Sequence, residues 1–69
     1  MIDYATIAKE RRLQLGLTQQ AVADRALCSL DTVWGFEHHR RVVRIDIIED
    51  IFRVLGLEII VREVQKDDD

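Results

Sequence analysis

The chain has 69 residues, 48% of them hydrophobic, and a net charge of −3, which leaves room for one small domain whose core is marginal alone. Its one cysteine, Cys28, excludes an intramolecular disulfide and a Cys-rich zinc site, and no stretch reaches the roughly 20 apolar residues of a membrane span. Residues 1–44 hold seven Lys/Arg against five Asp/Glu, and residues 45–69 three against eight, so the acidic total does not exclude nucleic acid as a partner of the first part.

Proline is absent and the glycines are Gly16, Gly35 and Gly56, a composition that favours helices with short connections. The opening MIDYATIAKERR has no apolar run behind a basic one, so no secretory signal is expected and the cytoplasm is the expected compartment. Residues 3–15 fit a first helix with Asp3 as its cap and Tyr4, Ile7, Ala8 and Leu15 as an inner stripe. Arg11 and Arg12 interrupt that stripe, so one of them is expected to reach a partner. Gly16 ends the helix, and Leu17 turns inward.

Residues 17–37, LTQQAVADRALCSLDTVWGFE, then read as two short helices with a tight join. Thr18 caps the first and Ser29 the second, each accepting a backbone N–H that the first helical turn leaves unpaired. Val22, Ala23 and Ala26 face inward on the first, Val33 and Phe36 on the second. Leu30, Asp31, Trp34 and Gly35 face outward. This is the spacing of a helix-turn-helix, whose second helix is presented to a partner. The join Ala26-Leu27-Cys28-Ser29 lacks the glycine such turns commonly use. Either Leu27 takes a strained conformation or the turn has another shape.

The basic connection HHRRVVR follows, where His38 or His39 can take the left-handed region. Ile45–Leu55 is the next helix. Its stripe of Ile45, Ile48, Phe52 and Leu55, widened by Ile47, Ile51 and Val54, exceeds what so small a core needs, and part of it is expected to meet a second subunit. Gly56 ends it. Leu57–Val64, LEIIVREV, is β-branched and partly alternating, which predicts a strand. One strand has no ladder partner in a single chain, and pairing with a two-fold-related copy is the simplest remedy. Gln65–Asp69 is expected to be a disordered acidic tail.

Arg12, Gly16, Leu17, Thr18, Gln19, Val22, Ala23, Ser29, Thr32, Val33, Phe36 and Glu37, with Ile45-Asp46 and Leu55-Gly56-Leu57, resemble the Cro/C1-type (XRE) helix-turn-helix domains over roughly residues 4–57. LGLEIIVREV is similar to the C-terminal strand of HipB-like antitoxins and repressors. The resemblance implies a mainly α, four- to five-helix lambda-repressor-like domain over residues 1–56. It also implies a dimerisation strand over 57–64, followed by the tail at 65–69. It further implies operator binding by a homodimer, a HipA-type toxin kinase as partner, and pairing of Arg12 with Glu37, where a buried charge meets its counterpart. Two departures stand out. Leu27 replaces the usual glycine, and His38-His39 replace Asn-Gly. The base-reading positions fall on Leu30, Asp31 and Gly35, beside Trp34, without the Arg, Gln or Asn of bidentate base contacts. Asp31 can accept from cytosine N4 and Leu30 or Trp34 can pack on a thymine methyl, with shape and backbone contacts as the other source of selectivity.

Each candidate carries a plainer alternative. Gln19 and Ser29 at helix starts can meet phosphate, or Gln19 can face water. Arg40, Arg41 and Arg44 can contact phosphate or form a solvated face. Trp34 can touch DNA, or pack under the His38-His39 loop or against another subunit. Ile51, Leu55, Leu57, Ile59, Ile60 and Val61 are the expected dimer interface. Cys28 reads as an inert core residue, and His38-His39 lack companions for a metal set. No phosphate loop, activated nucleophile or carboxylate pair points to an enzyme, and no cofactor is implied. Two functions follow: a homodimeric repressor on an inverted-repeat operator in double-stranded DNA, as the antitoxin of a toxin pair, or an interaction module that holds a toxin and reads bases weakly.

Overall fold

Three of four helices begin where a short oxygen-bearing side chain stands ready to cap them. The computed structural model describes residues 2–65 and orders them as α1 (Tyr4–Gln14), α2 (Gln19–Ala26), α3 (Leu30–Glu37) and α4 (Ile45–Val54). Asp3 accepts the N–H of Thr6, Thr18 that of Ala21, and Ser29 that of Thr32. The start of α4 has no such cap: Arg44 holds the position without a side-chain bond, and the carboxylate of Asp46 accepts the Ile47 N–H instead.

The ends are set by left-handed residues. Gly16 (φ 67°) and Gly56 (φ 71°) follow α1 and α4, where glycine bears no penalty. After α2 the same region is taken by Leu27 (φ 58°, ψ 40°), so the turn keeps its shape and a leucine bears the strain. Its N–H and that of Cys28 both donate to the Ala23 carbonyl. After α3, His39 is left-handed (φ 56°) and His38 is not.

The core joins Ala5 and Ala8 of α1, Val22, Ala23 and Ala26 of α2, Val33 and Phe36 of α3, and Ile48, Ile51, Phe52 and Leu55 of α4 and its cap. Tyr4 meets Phe52 edge to face at 5.7 Å between ring centroids. α2 packs on α3 and α4, and α1 closes the other side of both.

Three expectations are corrected, and the strand expected from pairing with a second copy is not seen among the described residues of the single chain. Ile7 and Leu15 are exposed; the inner face of α1 is made by Tyr4, Ala5 and Ala8 and continued by the half-buried Arg11 and Arg12. Ile51 and Leu55, expected at a dimer interface, are each 1% exposed and are filled by the other helices of the same chain. Gly35, expected outward, is buried under the α3–α4 connection. Residues 57–64 form no strand among the described residues, since a lone segment has no ladder partner. Within that segment Leu57 and Ile59 pack on the core while Ile60 and Val61 stand exposed. With Ile2, Tyr4 and Ile7 it borders an apolar groove of about 530 Å³. Of the expected acidic tail, residues 66–69 lie outside the described residues.

Candidate nucleic-acid interface

The presentation of α3 begins with the two arginines that break the apolar stripe of α1. Arg12 donates from Nε to Glu37 Oε2 (2.7 Å) and from Nη2 to Oε1 (2.9 Å), a bidentate fork, while Nη1 donates to the Leu17 carbonyl (2.8 Å). The side chains are 11% and 2% exposed. Gln19 adds a bond from its amide nitrogen to Glu37 Oε1 (3.1 Å). Burial opposes a charge on Glu37, but the bonds from Arg12 and Gln19 and the fields of Arg12 and Lys9 outweigh it and hold the carboxyl below its ordinary pKa. The hydrogen bond to Glu37 raises Arg12 in turn, against burial. The pair therefore stays ionised and fixes the last turn of α3 to α1 and to the start of α2.

Arg11 does a parallel job that the sequence leaves open: its Nε donates to the Leu55 carbonyl at 3.0 Å, tying α1 to the end of α4. Both arginines thus reach partners within the chain.

With its inner face so held, α3 exposes Leu30, Asp31 and Trp34. Leu30 is 41% exposed and Trp34 46%. Trp34 is stacked on His38, with centroids 4.1 Å apart and planes at 19°, and His38 Nδ1 donates to the Trp34 carbonyl at 2.8 Å. One indole face is covered in this way and the rest points outward. Gly35 lies behind this face. A Cβ built there would stand 2.9 Å from the Arg41 Cβ, so glycine lets the connecting loop close on the helix. Arg41 then lies along α3 and donates from Nη1 to Thr32 Oγ1 (3.2 Å). Thr32 and Ser29 share a hydroxyl–hydroxyl bond of 2.8 Å.

The phosphate candidates are placed unequally. Arg40 is exposed, with no side-chain hydrogen bond or ion pair among the described residues. Arg44 is exposed but shares its charge with Asp46 at 3.0 Å. Gln19 turns toward Glu37 and keeps one amide hydrogen for an outside acceptor. The loop carrying these cations is pinned from its far side, where His39 Nε2 donates to Asp3 at 2.9 and 3.1 Å. Asp3 so bound, first by His39 and then by the Thr6 N–H and hydroxyl, is held down to a pKa of about 2. Neither this bridge nor the Arg41–Thr32 contact has a signal in the sequence, since each joins residues through the tertiary fold.

Burial raises the Cys28 thiol, and the charge of Asp50 adds to the shift, which disfavours its thiolate form. No helix among the described residues is long and apolar enough to cross a membrane.

The family model of the helix-turn-helix domain matches residues 4–64. Comparison with curated proteins and with solved structures finds no match.

Proposed function

The chain belongs to the helix-turn-helix domain family, of the Cro-like type, and on that premise we propose that this DNA-binding regulator works as a homodimeric, sequence-specific repressor. The observation that carries the reading is the exposed outer face of α3, braced from behind by the buried Arg12–Glu37 fork and flanked by the arginines of residues 40–44. In this family geometry the second helix enters the major groove. Leu30, Asp31 and Trp34 face the bases, while Arg40, Arg41, Ser29 and Gln19 meet the backbone. Arg44, paired with Asp46, contributes less.

A dimer is supported by the apolar, unladdered segment 57–64, with Ile60 and Val61 exposed, and by the half-buried Leu57 and Ile59 beside them. Pairing these segments across a two-fold axis satisfies their backbone and sets two α3 helices one DNA turn, roughly 34 Å, apart. The finer identity, an antitoxin that represses its own operon and holds a HipA-type kinase, rests on the resemblance of LGLEIIVREV to the HipB-like tail. The second reading, a toxin-binding module with weakened base reading, is favoured by the acidic and apolar character of the α3 face.

The test is a gel shift and footprint on the DNA upstream of the gene. A symmetric site is expected, with a salt slope on the order of four to five from two or three phosphate-bound cations per subunit. Binding no tighter than to random duplex at low salt overturns sequence-specific repression. Deleting residues 57–69 should halve the mass in sedimentation; unchanged mass removes the strand from the interface. Recovery of a stoichiometric kinase partner in a pull-down supports the antitoxin identity, and its absence refutes it.

A further inference from the structure

The α3 sequence LDTVWGFE carries no Lys, Arg, Asn or Gln. Its donors are few: the Thr32 hydroxyl already bonds with Ser29 and Arg41, which leaves the Trp34 indole N–H. In the major groove guanine presents two acceptors and adenine an acceptor beside an amino donor, so both are read with the Arg, Lys, Asn or Gln donors that this helix lacks, whereas thymine offers a C5-methyl group and cytosine an amino donor. The exposed surface here has the opposite chemistry to a purine reader. Two large apolar side chains, Leu30 and Trp34, lie four residues apart and so on one face, beside the carboxylate of Asp31. Trp34 is steadied by the His38 stack, which reduces the rotamer freedom lost on contact. Arg40 and Arg41 at the edge of this patch give it a cationic border suited to the phosphates on either side.

We propose that α3 reads its operator chiefly through thymine methyl groups seated between Leu30 and Trp34, rather than through hydrogen bonds to purine edges. This deepens the DNA-binding reading and rests on it. The probe is a random-sequence duplex library selected with the full chain, followed by resynthesis of the selected site with deoxyuridine for thymidine. That exchange removes the methyl group and leaves base pairing intact. Each methyl in contact should be worth about fourfold in affinity, from about 0.8 kcal/mol per buried carbon. Leu30→Ala and Trp34→Ala, both at exposed positions, should bind the thymidine and deoxyuridine sites nearly alike, while Val42→Ala in the loop should keep the difference. Selection of a site whose affinity is indifferent to uridine overturns the methyl reading. So does a site in which 7-deazaguanine, which lacks the N7 acceptor, causes the larger loss. Retention of duplex without any preferred sequence overturns it too, and leaves general DNA binding standing. Retention of no duplex overturns the DNA-binding reading itself.

Discussion

Replacing Arg12 by alanine measures how much of the fold hangs on one buried fork. The Glu37 side chain is 2% exposed, and three of its hydrogen bonds come from Arg12 and Gln19. Without Arg12 the carboxylate keeps the Gln19 amide as its remaining donor, and the Leu17 carbonyl loses a partner. Removing one member of a buried pair typically costs about 3–5 kcal/mol. A domain of this length has a total stability on the order of 3–10 kcal/mol, from about 0.05–0.15 kcal/mol per residue. Arg12→Ala should therefore forfeit roughly half of it and lower the melting midpoint by about 12 °C or more. The double variant Arg12→Met/Glu37→Leu removes both charges together and should stay within about 1 kcal/mol of the parent, since an apolar pair of similar volume replaces a buried ion pair without great loss. Urea unfolding followed by far-UV circular dichroism, at one fixed protein concentration, of the parent, Arg12→Met, Glu37→Leu and their double variant gives the coupling energy. A loss below about 1 kcal/mol for Arg12→Ala is the scale of a solvent-exposed pair, and would refute the argument from burial.

Leu27→Gly relieves a left-handed leucine that is 93% exposed. About 1–2 kcal/mol of strain is removed, less up to about 1 kcal/mol of added unfolded-state entropy, so a melt should show a small net gain; a loss contradicts the strain. Gly35→Ala drives a Cβ into the Arg41 stem. Overpacking of about 1–3 kcal/mol outweighs the helix propensity gain of about 1 kcal/mol, and operator affinity should fall with the displaced loop; a stabilised variant with full affinity sinks this. Asp3 has a folded pKa depressed from 3.8 to about 2, so its contribution is complete above 3.8 and is lost as pH falls through about 2. Asp3→Asn should therefore reduce the slope of stability against pH across that window, and an unchanged acid limb would contradict the His39 bridge.

Much of the fold is legible along the chain because its signals are local. Asp3, Thr18 and Ser29 each stand before an apolar period, and the helices start one residue beyond them. What resists reading is decided across the fold. Ile51 and Leu55 are apolar members of a wide stripe, and only the arrival of α1 and α2 selects them for the core. Gly35 falls on the outer arc of its helix by spacing, and is covered by a loop that doubles back six residues later at Arg41. The two arginines of α1 announce by their position that something must receive them. The family resemblance points to Glu37 as the acceptor for Arg12; the Leu55 carbonyl, 44 residues from Arg11, has no signal in the sequence.

Those adjacent arginines make α1 intolerant of a change in length. Consecutive helical residues point about 100° apart, and Arg11 and Arg12 use that angle to engage α4 and α3 separately. Together they fix both the rotation of α1 about its axis and its position along it, as two teeth fix a gear where one would let it slip. Inserting or deleting a residue between Asp3 and Arg11 would turn the Asp3 cap away from His39, or both arginines away from their acceptors. The Gly16 turn, with nothing within 4 Å of where its side chain would start, has the room that α1 lacks. Length variation in this domain is expected to collect there rather than within the first helix.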